Sequence, residues 1–377
     1  FELFRQGADL GHVNSQYNLG YMYDEGLGVI QNYEEAAYWY ETAANQGHAS
    51  AQLNLGFLYD YGMGVEQSDE KATYWYGLSA EQGNAAAQYN YGYAFHHALG
   101  VEQDYKEAAY WYGLSAEQGY AEAQNTLGVF YRRGLGVEEN QELAAYWYQK
   151  SADQGNSYAQ GNLGFMYDFG IGVEQNYDKA VYWYQLAVDQ GNSTAQFRLG
   201  DCYFFGTGVE QSYEKALELY HLAAEQGNMD AQYSIGICYR YGYGVDQNFE
   251  EAVYWYRLAA EQGYDDAQFD ITEYLNWLAE EELIENGDTI EIYLEVIDAD
   301  EVVLADGTIE VIYEGSSAPP DETEDSGPVP GIAQLSENSF VYNGKVNKPT
   351  VTVTTFGMDE TVTLKEGDTI DFYSNIE

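Results

Sequence analysis

The chain has 377 residues, of which 63 are acidic and only 14 are basic, and its formal net charge at pH 7 is −49. This charge argues against a nucleic-acid partner, because phosphate binding needs clustered Lys and Arg, and against docking on anionic lipid. It fits a soluble surface, a cationic partner, divalent cations or a salty habitat. With two cysteines and no apolar run near the roughly 20 residues of a membrane span, we expect neither a disulfide framework nor membrane insertion.

A 36-residue internal repeat organises about three quarters of the chain. Leu-Gly and Trp-Tyr pairs recur with this period, for example at Leu55-Gly56 and Trp75-Tyr76. A Gln column keeps the register without a slip: Gln16, Gln52, Gln88, Gln124, Gln160, Gln196, Gln232 and Gln268. Such a period is typical of stacked helical hairpins, because one hairpin alone cannot bury its apolar face. We name each column by its residue in the repeat 49–84.

Each repeat is predicted to contain two helices, A and B. Apolar residues at helical spacing predict helix A from Ala49 to Tyr61, followed by a glycine-rich exit. Ser68 is a good N-cap for helix B, which stops at Gly83, and Asn84 caps the next helix A. Small residues in the Ala51, Gly56 and Ala72 columns are expected to let the helices approach closely, and the large Trp and Tyr side chains to fill the space between hairpins.

The composition changes after the last helix, which is predicted from 267 to about 282. Alternating residues predict β-strands at 289–296 and 308–313, and Pro, Gly, Ser and acidic residues predict a flexible linker at 315–331. The predicted domains are a repeat solenoid at 1–282, a short β region at 283–314, the linker at 315–331, and a partial β module at 332–377. The fold class is mainly α, an α/α superhelical solenoid of about seven 36-residue repeats.

The segment from Ser15 to Gly47 resembles the Sel-1-like repeat family, a relative of tetratricopeptide repeats. This resemblance implies a superhelix used for protein–protein interaction, with the A helices on its concave side. Some cysteine-rich members bind penicillin-like compounds and carry a disulfide in each repeat, but this chain lacks those cysteine pairs. Residues 332–377 are similar to immunoglobulin-like modules of bacterial surface proteins, through Tyr342-x-Gly344, Pro349 and Leu364-x-x-Gly367-Asp368. The chain begins inside a repeat and stops within this module, so we expect a fragment.

Columns that vary between repeats are the candidates for partner binding. The Ala51 and Leu55 columns face the core, whereas the Leu53, Phe57 and Asp60 columns lie on the opposite side of helix A and are predicted to expose aromatic residues to a partner. The alternative is that aromatic residues in the first two columns pack between adjacent A helices. The predicted partner-binding residues are Tyr17, Tyr21, Leu53, Phe57, Tyr89, Tyr93, His96, His97, Arg132, Arg133, Phe165, Asp168, Phe197, Phe204, Tyr233 and Arg240.

Four of these residues are predicted to form a basic spot. His96 and His97 lie one repeat before Arg132 and Arg133, so stacking is expected to bring them together. Such a spot suits a carboxylate or phosphate on a partner; the alternative is that the arginines neutralise surrounding Asp and Glu. A metal site is disfavoured because adjacent helical residues point apart.

No catalytic, cofactor-binding or metal site is predicted. The Gly-x-Gly-Val segments follow helices and lack the Lys-Ser or Lys-Thr of a phosphate-binding loop, and 298–307 lacks the glycine and glutamate of an EF-hand. Cys202 and Cys238 are expected to be core thiols. The sequence therefore predicts a non-enzymatic, monomeric scaffold, secreted or on a bacterial surface, that binds a protein or peptide with a cationic segment or a carboxylate. The alternatives are a β-lactam or cell-wall hydrolase and a passive stalk.

Overall fold

The computed structural model describes residues 1–264 and 266–267 with their side chains, together with the backbone of six strand segments between 289 and 373. The chain divides into two compact units, Phe1–Ser212 and Tyr213–Glu377.

The first unit is a stack of helical hairpins. A short helix, α1 (Glu2–Asp9), is followed by A and B helices in strict alternation. The A helices are α2 (Val13–Glu25), α4 (Ala49–Tyr61), α6 (Ala85–His97), α8 (Ala121–Arg133), α10 (Ser157–Phe169) and α12 (Ser193–Phe205). The B helices are α3 (Tyr33–Ala44), α5 (Asp69–Glu81), α7 (Tyr105–Glu117), α9 (Gln141–Ala152) and α11 (Tyr177–Val188). The predicted bounds of helix A in the repeat 49–84 are confirmed. Counting from α2, repeat 4 consists of α8 and α9.

The second unit begins with α13 (Tyr213–Ala224), α14 (Met229–Tyr241) and α15 (Phe249–Glu261). Its strands are β1 (Thr289–Ile297), β2 (Val303–Ile312), β3 (Ser339–Val341), β4 (Thr350–Thr355), β5 (Met358–Thr363) and β6 (Thr369–Tyr373). Backbone pairing gives the orders β2-β1-β6-β3 and β4-β5. The linker at 315–331, the segment 298–302 and most of the helix predicted to end near 282 lie outside the described residues. The domain boundaries and the immunoglobulin-like module therefore stay predictions.

Local caps explain where the helices begin and end. The Ser68 hydroxyl accepts from the Lys71 amide at 3.3 Å, and Asn84 Oδ1 accepts from the Ala87 amide at 3.0 Å, so the predicted N-caps are confirmed. Helix α4 ends at Gly62 in the left-handed region, with φ +65°. At the equivalent position after α6 the chain carries Ala98, at φ +60°, a conformation that costs an L-residue about 1–2 kcal/mol.

The hairpin core forms where a glycine of helix A meets a tyrosine of helix B. A Cβ on Gly56 would lie only 2.6 Å from Cδ1 of Tyr76, a residue that is itself buried. The Ala72 carbonyl oxygen lies 3.3 Å from the same Cβ position, and Ala51, Leu55 and Ala72 are all buried. The predicted close approach of the two helices through small residues is confirmed, and it explains why the Gly56 column recurs.

The Gln column that marks the period holds neighbouring helices together. Gln52 is buried, and its Nε2 donates to the carbonyl of Ala44 at the end of the preceding B helix, at 3.1 Å. Its Oε1 accepts from Gln82 Nε2 at 2.6 Å. One side chain thus bonds to the B helix before it and to the loop that ends its own hairpin, so a shift of one residue would break both bonds.

Candidate protein-binding surface

The Leu53 column packs against the residue that caps the following A helix. Tyr17 stacks on His48, with ring centroids 4.5 Å apart, and Tyr89 lies 5.4 Å from Tyr120. In the second unit Tyr233 stacks on Tyr264 at 4.6 Å. Phe197, predicted to be exposed, is only 7% exposed. These contacts match the alternative of packing between repeats, because each ring covers the residue that precedes the next A helix.

The Asp60 column bonds to a tyrosine of its own hairpin. Tyrosine hydroxyls donate to these carboxylates at 2.9 Å for Tyr40 and Asp24, 3.1 Å for Tyr76 and Asp60, and 3.3 Å for Tyr184 and Asp168. Burial raises the pKa of the three carboxyls, and the tyrosine hydrogen bond partly offsets that rise. Asp168, predicted to bind a partner, therefore already has an internal role.

Exposed aromatic residues lie further along helix A. In the Phe57 column Tyr21 and Tyr93 are exposed, whereas Phe57 itself is half-buried and edge-on to Tyr76 at 5.6 Å. The Tyr61 column is more open, with exposures of 67% for Tyr61 and 68% for Phe205. The sequence analysis counted this column among the variable ones and selected His97 and Arg133 from it, but it did not select the aromatic members. The signal was available, since four residues separate the two columns and place them on one helix face.

We call these side chains the A-helix ridge and define it within the first unit. All of its members are exposed: Tyr21, Tyr61, Tyr93, His97, Arg133, Phe169 and Phe205. Neighbours four residues apart support one another, as Phe165 does for Phe169 with ring centroids at 4.7 Å. The ridge is therefore made of aromatic side chains with a histidine and an arginine among them.

The four residues of the predicted basic spot have different surroundings. His96 lies edge-on to Phe130 at 4.9 Å and 3.5 Å from the Tyr112 hydroxyl, and burial lowers its pKa, which favours the neutral ring at pH 7. His97 lies 4.1 Å from the Tyr93 ring. In the described part of the chain, no hydrogen bond, ion pair or ring contact joins the histidines to Arg132 or Arg133. The predicted positive charge is thus concentrated on the arginines.

Phe165 lies between two guanidinium groups. The Arg132 guanidinium carbon is 6.0 Å from the Phe165 ring centroid, and that of Arg198 is 5.6 Å from it. Arg198 also pairs with Asp201 at 3.5 Å. Of the remaining predicted residues, Leu53 is half-buried, Phe204 is half-buried and edge-on to Phe205 at 5.0 Å, and Arg240 lies over Tyr241 at 5.3 Å.

Sequence reasoning missed a second exposed surface, on the B helices. Its members in the first unit share one column and are exposed by 50–58%: Tyr38, Tyr74, Tyr110, Tyr146 and Tyr182. Each tyrosine is edge-on to the tryptophan that follows it, as Tyr74 is to Trp75 at 5.0 Å. Three of these tryptophans, Trp39, Trp75 and Trp183, are buried, and Trp111 and Trp147 are half-buried. We call this surface the B-helix tyrosine column.

Neither a metal cluster nor a membrane-spanning helix is found where the structure describes the chain. No group of three or more His, Cys, Asp or Glu residues could hold a metal ion there, and none of the described helices is long and apolar enough to cross a membrane. Cys202 and Cys238 are free and buried.

The hairpins and their common register define an α/α repeat solenoid. A family model described as Sel1 repeat matches residues 13–48, 49–84, 85–120, 121–156, 157–192, 193–228 and 230–264. The chain belongs to the Sel1 repeat family, so the predicted resemblance and the predicted all-α solenoid of about seven helix pairs are confirmed. Sel1 repeat proteins form a class of protein-interaction scaffolds and are typically non-catalytic.

Two solved structures share this fold. A protective antigen present in uropathogenic Escherichia coli strains is 42% identical with a TM-score of 0.67, over 74% of this chain and 60% of that chain. This chain therefore spans less than two thirds of that antigen. A Sel1 repeat protein from Oxalobacter formigenes is 33% identical with a TM-score of 0.57, over 72% of this chain and 79% of that chain. A comparison with curated proteins gives no significant match.

Proposed function

We propose that the chain is a scaffold that binds a protein or peptide partner along the A-helix ridge. The observation that carries this proposal is the Tyr61 column, which exposes a large side chain in each of five consecutive repeats: Tyr61, His97, Arg133, Phe169 and Phe205. In a complex, these side chains would bury apolar surface that is exposed to water in the free chain. Aromatic residues and Arg contribute most of the binding energy in protein interfaces. Exposed aromatic patches mark such interfaces.

The ridge suits an elongated partner. Each ridge position repeats once per hairpin, so a partner that lies across several hairpins meets aromatic rings in succession, as expected for the concave groove of this repeat class. Arg133 offers a place for a carboxylate on that partner. Around it the chain is strongly acidic, with a net charge of −49, so cationic flanking segments would be attracted from a distance. These are the two partner chemistries that the sequence predicted.

Site-specific cross-linking tests this surface. A photoreactive amino acid replaces Tyr61 in one version of the chain and Tyr74 in another, and partners captured from the source cells are identified and purified. Tyr74 is a matched control, because it belongs to the same repeat and is 58% exposed against 67% for Tyr61. Calorimetry then measures the affinity of the purified partner for Tyr61→Ala, Phe169→Ala and Tyr74→Ala.

We expect each ridge substitution to weaken binding about tenfold or more, which corresponds to about 1.4 kcal/mol, and Tyr74→Ala to leave the affinity unchanged. A loss of affinity in Tyr74→Ala alone would move the site to the B-helix tyrosine column. Equal affinities for all three variants would remove both surfaces and favour a passive spacer.

The same proposal assigns no catalytic role to the chain. The family is typically non-catalytic, and binding on exposed aromatic residues needs no reactive group. Turnover of nitrocefin or of purified cell-wall fragments by the purified chain would overturn this part of the proposal and favour the hydrolase alternative.

We also propose that the chain acts outside the cytoplasm. The support is the 42% identical protein described as a protective antigen, since antibodies reach antigens that are displayed or released. Protease treatment of intact source cells tests this location, because an extracytoplasmic chain is cleaved while cytoplasmic marker proteins stay whole. Protection of the chain in intact cells and its cleavage only after lysis would contradict it.

A further inference from the structure

Repeat 4 differs from other repeats at the Asp60 column, and the difference leaves a buried hydroxyl without an acceptor. In repeats 1, 2 and 5 the hairpin tyrosine donates to the aspartate of that column. In repeat 4 the column holds Arg132, and the tyrosine is Tyr148, whose side chain is 0% exposed. The Tyr148 hydroxyl hydrogen has no acceptor among the described residues, although a buried hydroxyl ordinarily has one.

A second unpaired donor lies at the same place. Arg132 Nε is buried and has no hydrogen-bond partner. Burial raises the pKa of the Tyr148 hydroxyl to about 12, and part of that rise is offset by the charge of Arg132, by Arg132 as a hydrogen-bond donor to the hydroxyl oxygen, and by the charge of Arg133. Repeat 4 therefore holds two buried donors without an acceptor, Arg132 Nε and the Tyr148 hydroxyl, and one buried acceptor without a donor, Gln141 Oε1, whose amide nitrogen bonds to the Arg132 carbonyl.

No acidic residue in the described part of the chain fills this place. Neither Arg132 nor Arg133 forms an ion pair within residues 1–264, whereas Arg5 pairs with Asp9 and Arg198 with Asp201. The nearby Glu139 carboxylate accepts from Gln141 Nε2 at 2.8 Å, and the same nitrogen donates to the Arg132 carbonyl at 3.1 Å. Although the chain is rich in acidic residues, none of those within residues 1–264 forms an ion pair with either arginine.

We propose that repeat 4 is a carboxylate-binding site, in which the ligand accepts hydrogen bonds from Arg132 Nε and Tyr148 Oη. The ligand carboxylate takes the place that the aspartate of this column holds in repeats 1, 2 and 5. Arg132 is half-buried and Arg133 is exposed, so Arg132 can turn toward solvent and Arg133 adds charge at the entrance. The inference rests on the proposed function and deepens it, because it assigns the partner an acidic side chain or a free C-terminus at this point of the A helices.

The repeat itself supplies a matched control. Arg132→Asp restores the residue that the column holds in repeats 1, 2 and 5 and gives Tyr148 the acceptor that Tyr40, Tyr76 and Tyr184 have. This variant is expected to fold at least as well as the natural chain and to lose the site. Arg133→Gln keeps both donors and removes one charge, so it is expected to weaken binding several-fold without abolishing it.

Ligand binding at this site can be measured by NMR, from the chemical shifts of the arginine Nε–H groups in the ¹⁵N spectrum of the full chain. The chain has few arginines, namely Arg5, Arg132, Arg133, Arg198, Arg240 and Arg257, so the signals are readily assigned by substitution. The probes are N-acetylglycine, which carries only a terminal carboxylate, N-acetylglutamate α-amide, which carries only a side-chain carboxylate, and inorganic phosphate. N-acetylglutamine amide and sodium chloride at matched ionic strength are the controls.

We expect at least one carboxylate probe to shift the Arg132 signal saturably, while Arg5 and Arg198, which have ion-pair partners, stay in place. The stronger of the two carboxylate probes identifies the source as a chain end or a side chain. Three results would overturn the proposal. The Arg132 signal could respond only to phosphate, or it could shift linearly and by the same amount as with sodium chloride. In the Arg132→Asp variant, the carboxylate probes could still shift the Arg133 signal. If the A-helix ridge does not bind a partner, this measurement at Arg132 can still be made. If the carboxylate probes do not bind at Arg132, the cross-linking experiment at Tyr61 can still be interpreted.

Discussion

A single methyl group at Gly164 is expected to destabilise the first unit. A Cβ on this glycine of α10 would lie 2.6 Å from Cδ1, 2.7 Å from Cε1 and 3.1 Å from Cγ of Tyr184. Carbon atoms in contact ordinarily lie about 3.5–4.0 Å apart, so the ring has to withdraw by about 1 Å. It has little room to do so, because Tyr184 is fully buried and its hydroxyl bonds to Asp168.

The magnitude follows from two opposing terms. Overpacking of a well-filled core costs about 1–3 kcal/mol, and a ring fixed at its hydroxyl end places Gly164→Ala near the upper end. Alanine is a better helix former than glycine by about 1 kcal/mol, which offsets part of that cost. The net loss is therefore about 2 kcal/mol, and for a domain of this size it lowers Tm by roughly 4–8 °C.

Gly161 of the same helix is the matched control. A Cβ there would meet only Asn192 Oδ1 at 3.8 Å and the Ala195 Cβ at 3.9 Å, which are ordinary contacts. Gly161→Ala should therefore keep the helix-propensity gain of about 1 kcal/mol and raise Tm. Thermal unfolding followed by far-UV circular dichroism measures both variants. If the two substitutions shift Tm in the same direction by the same amount, the close approach of α10 and α11 is wrong.

Three further outcomes are expected. Ala98→Gly should raise stability by about 1 kcal/mol, because glycine adopts the φ of +60° there without strain; a lower urea midpoint for this variant would contradict the cap geometry. Asp60 has a folded-state pKa above its ordinary value of 3.8, so the folded state holds this proton more tightly, and stability falls as pH rises from about 4 toward 7. The Asp60→Asn variant should accordingly be more stable than the natural chain at pH 7, and this difference in stability should disappear near pH 4. Measuring the Tm of both proteins across this pH range tests the expectation. A difference in Tm that does not change with pH would argue against burial as the cause. Burial raises the pKa of Cys202 and Cys238 to about 12, so Ellman's reagent at pH 8 should leave both thiols unmodified in the folded chain and react with both in urea; rapid modification of the folded chain would show that the thiols are accessible.

Much of the fold was predictable because it depends on local interactions. A helix begins where a side chain such as Asn84 bonds to an amide three residues ahead, and it ends where a residue such as Gly62 turns left-handed. These signals need no knowledge of distant parts of the chain, and the 36-residue period repeats them seven times. The predicted bounds of helix A and the predicted caps were therefore confirmed residue by residue.

The candidate surface was less predictable because exposure depends on what neighbouring hairpins cover. The Leu53 and Tyr61 columns lie on the same side of helix A, yet Tyr17 is covered by His48, the N-cap of the following A helix, while Tyr61 stays open. Spacing along one helix does not distinguish them. The B-helix tyrosines were overlooked for a related reason, since a Tyr-Trp-Tyr segment does not show which of its rings the core takes.

The sequence by itself determined the period and the helices, because both follow from residues close together in the chain. Only the tertiary structure decided the role of the Asp60 column. Its partner is a tyrosine sixteen residues away, and the two meet only because a glycine lets the helices cross closely. In repeat 4 this column holds Arg132 in place of an aspartate. Because the helices cross closely there, the replacement leaves two buried donors, Arg132 Nε and the Tyr148 hydroxyl, without an acceptor.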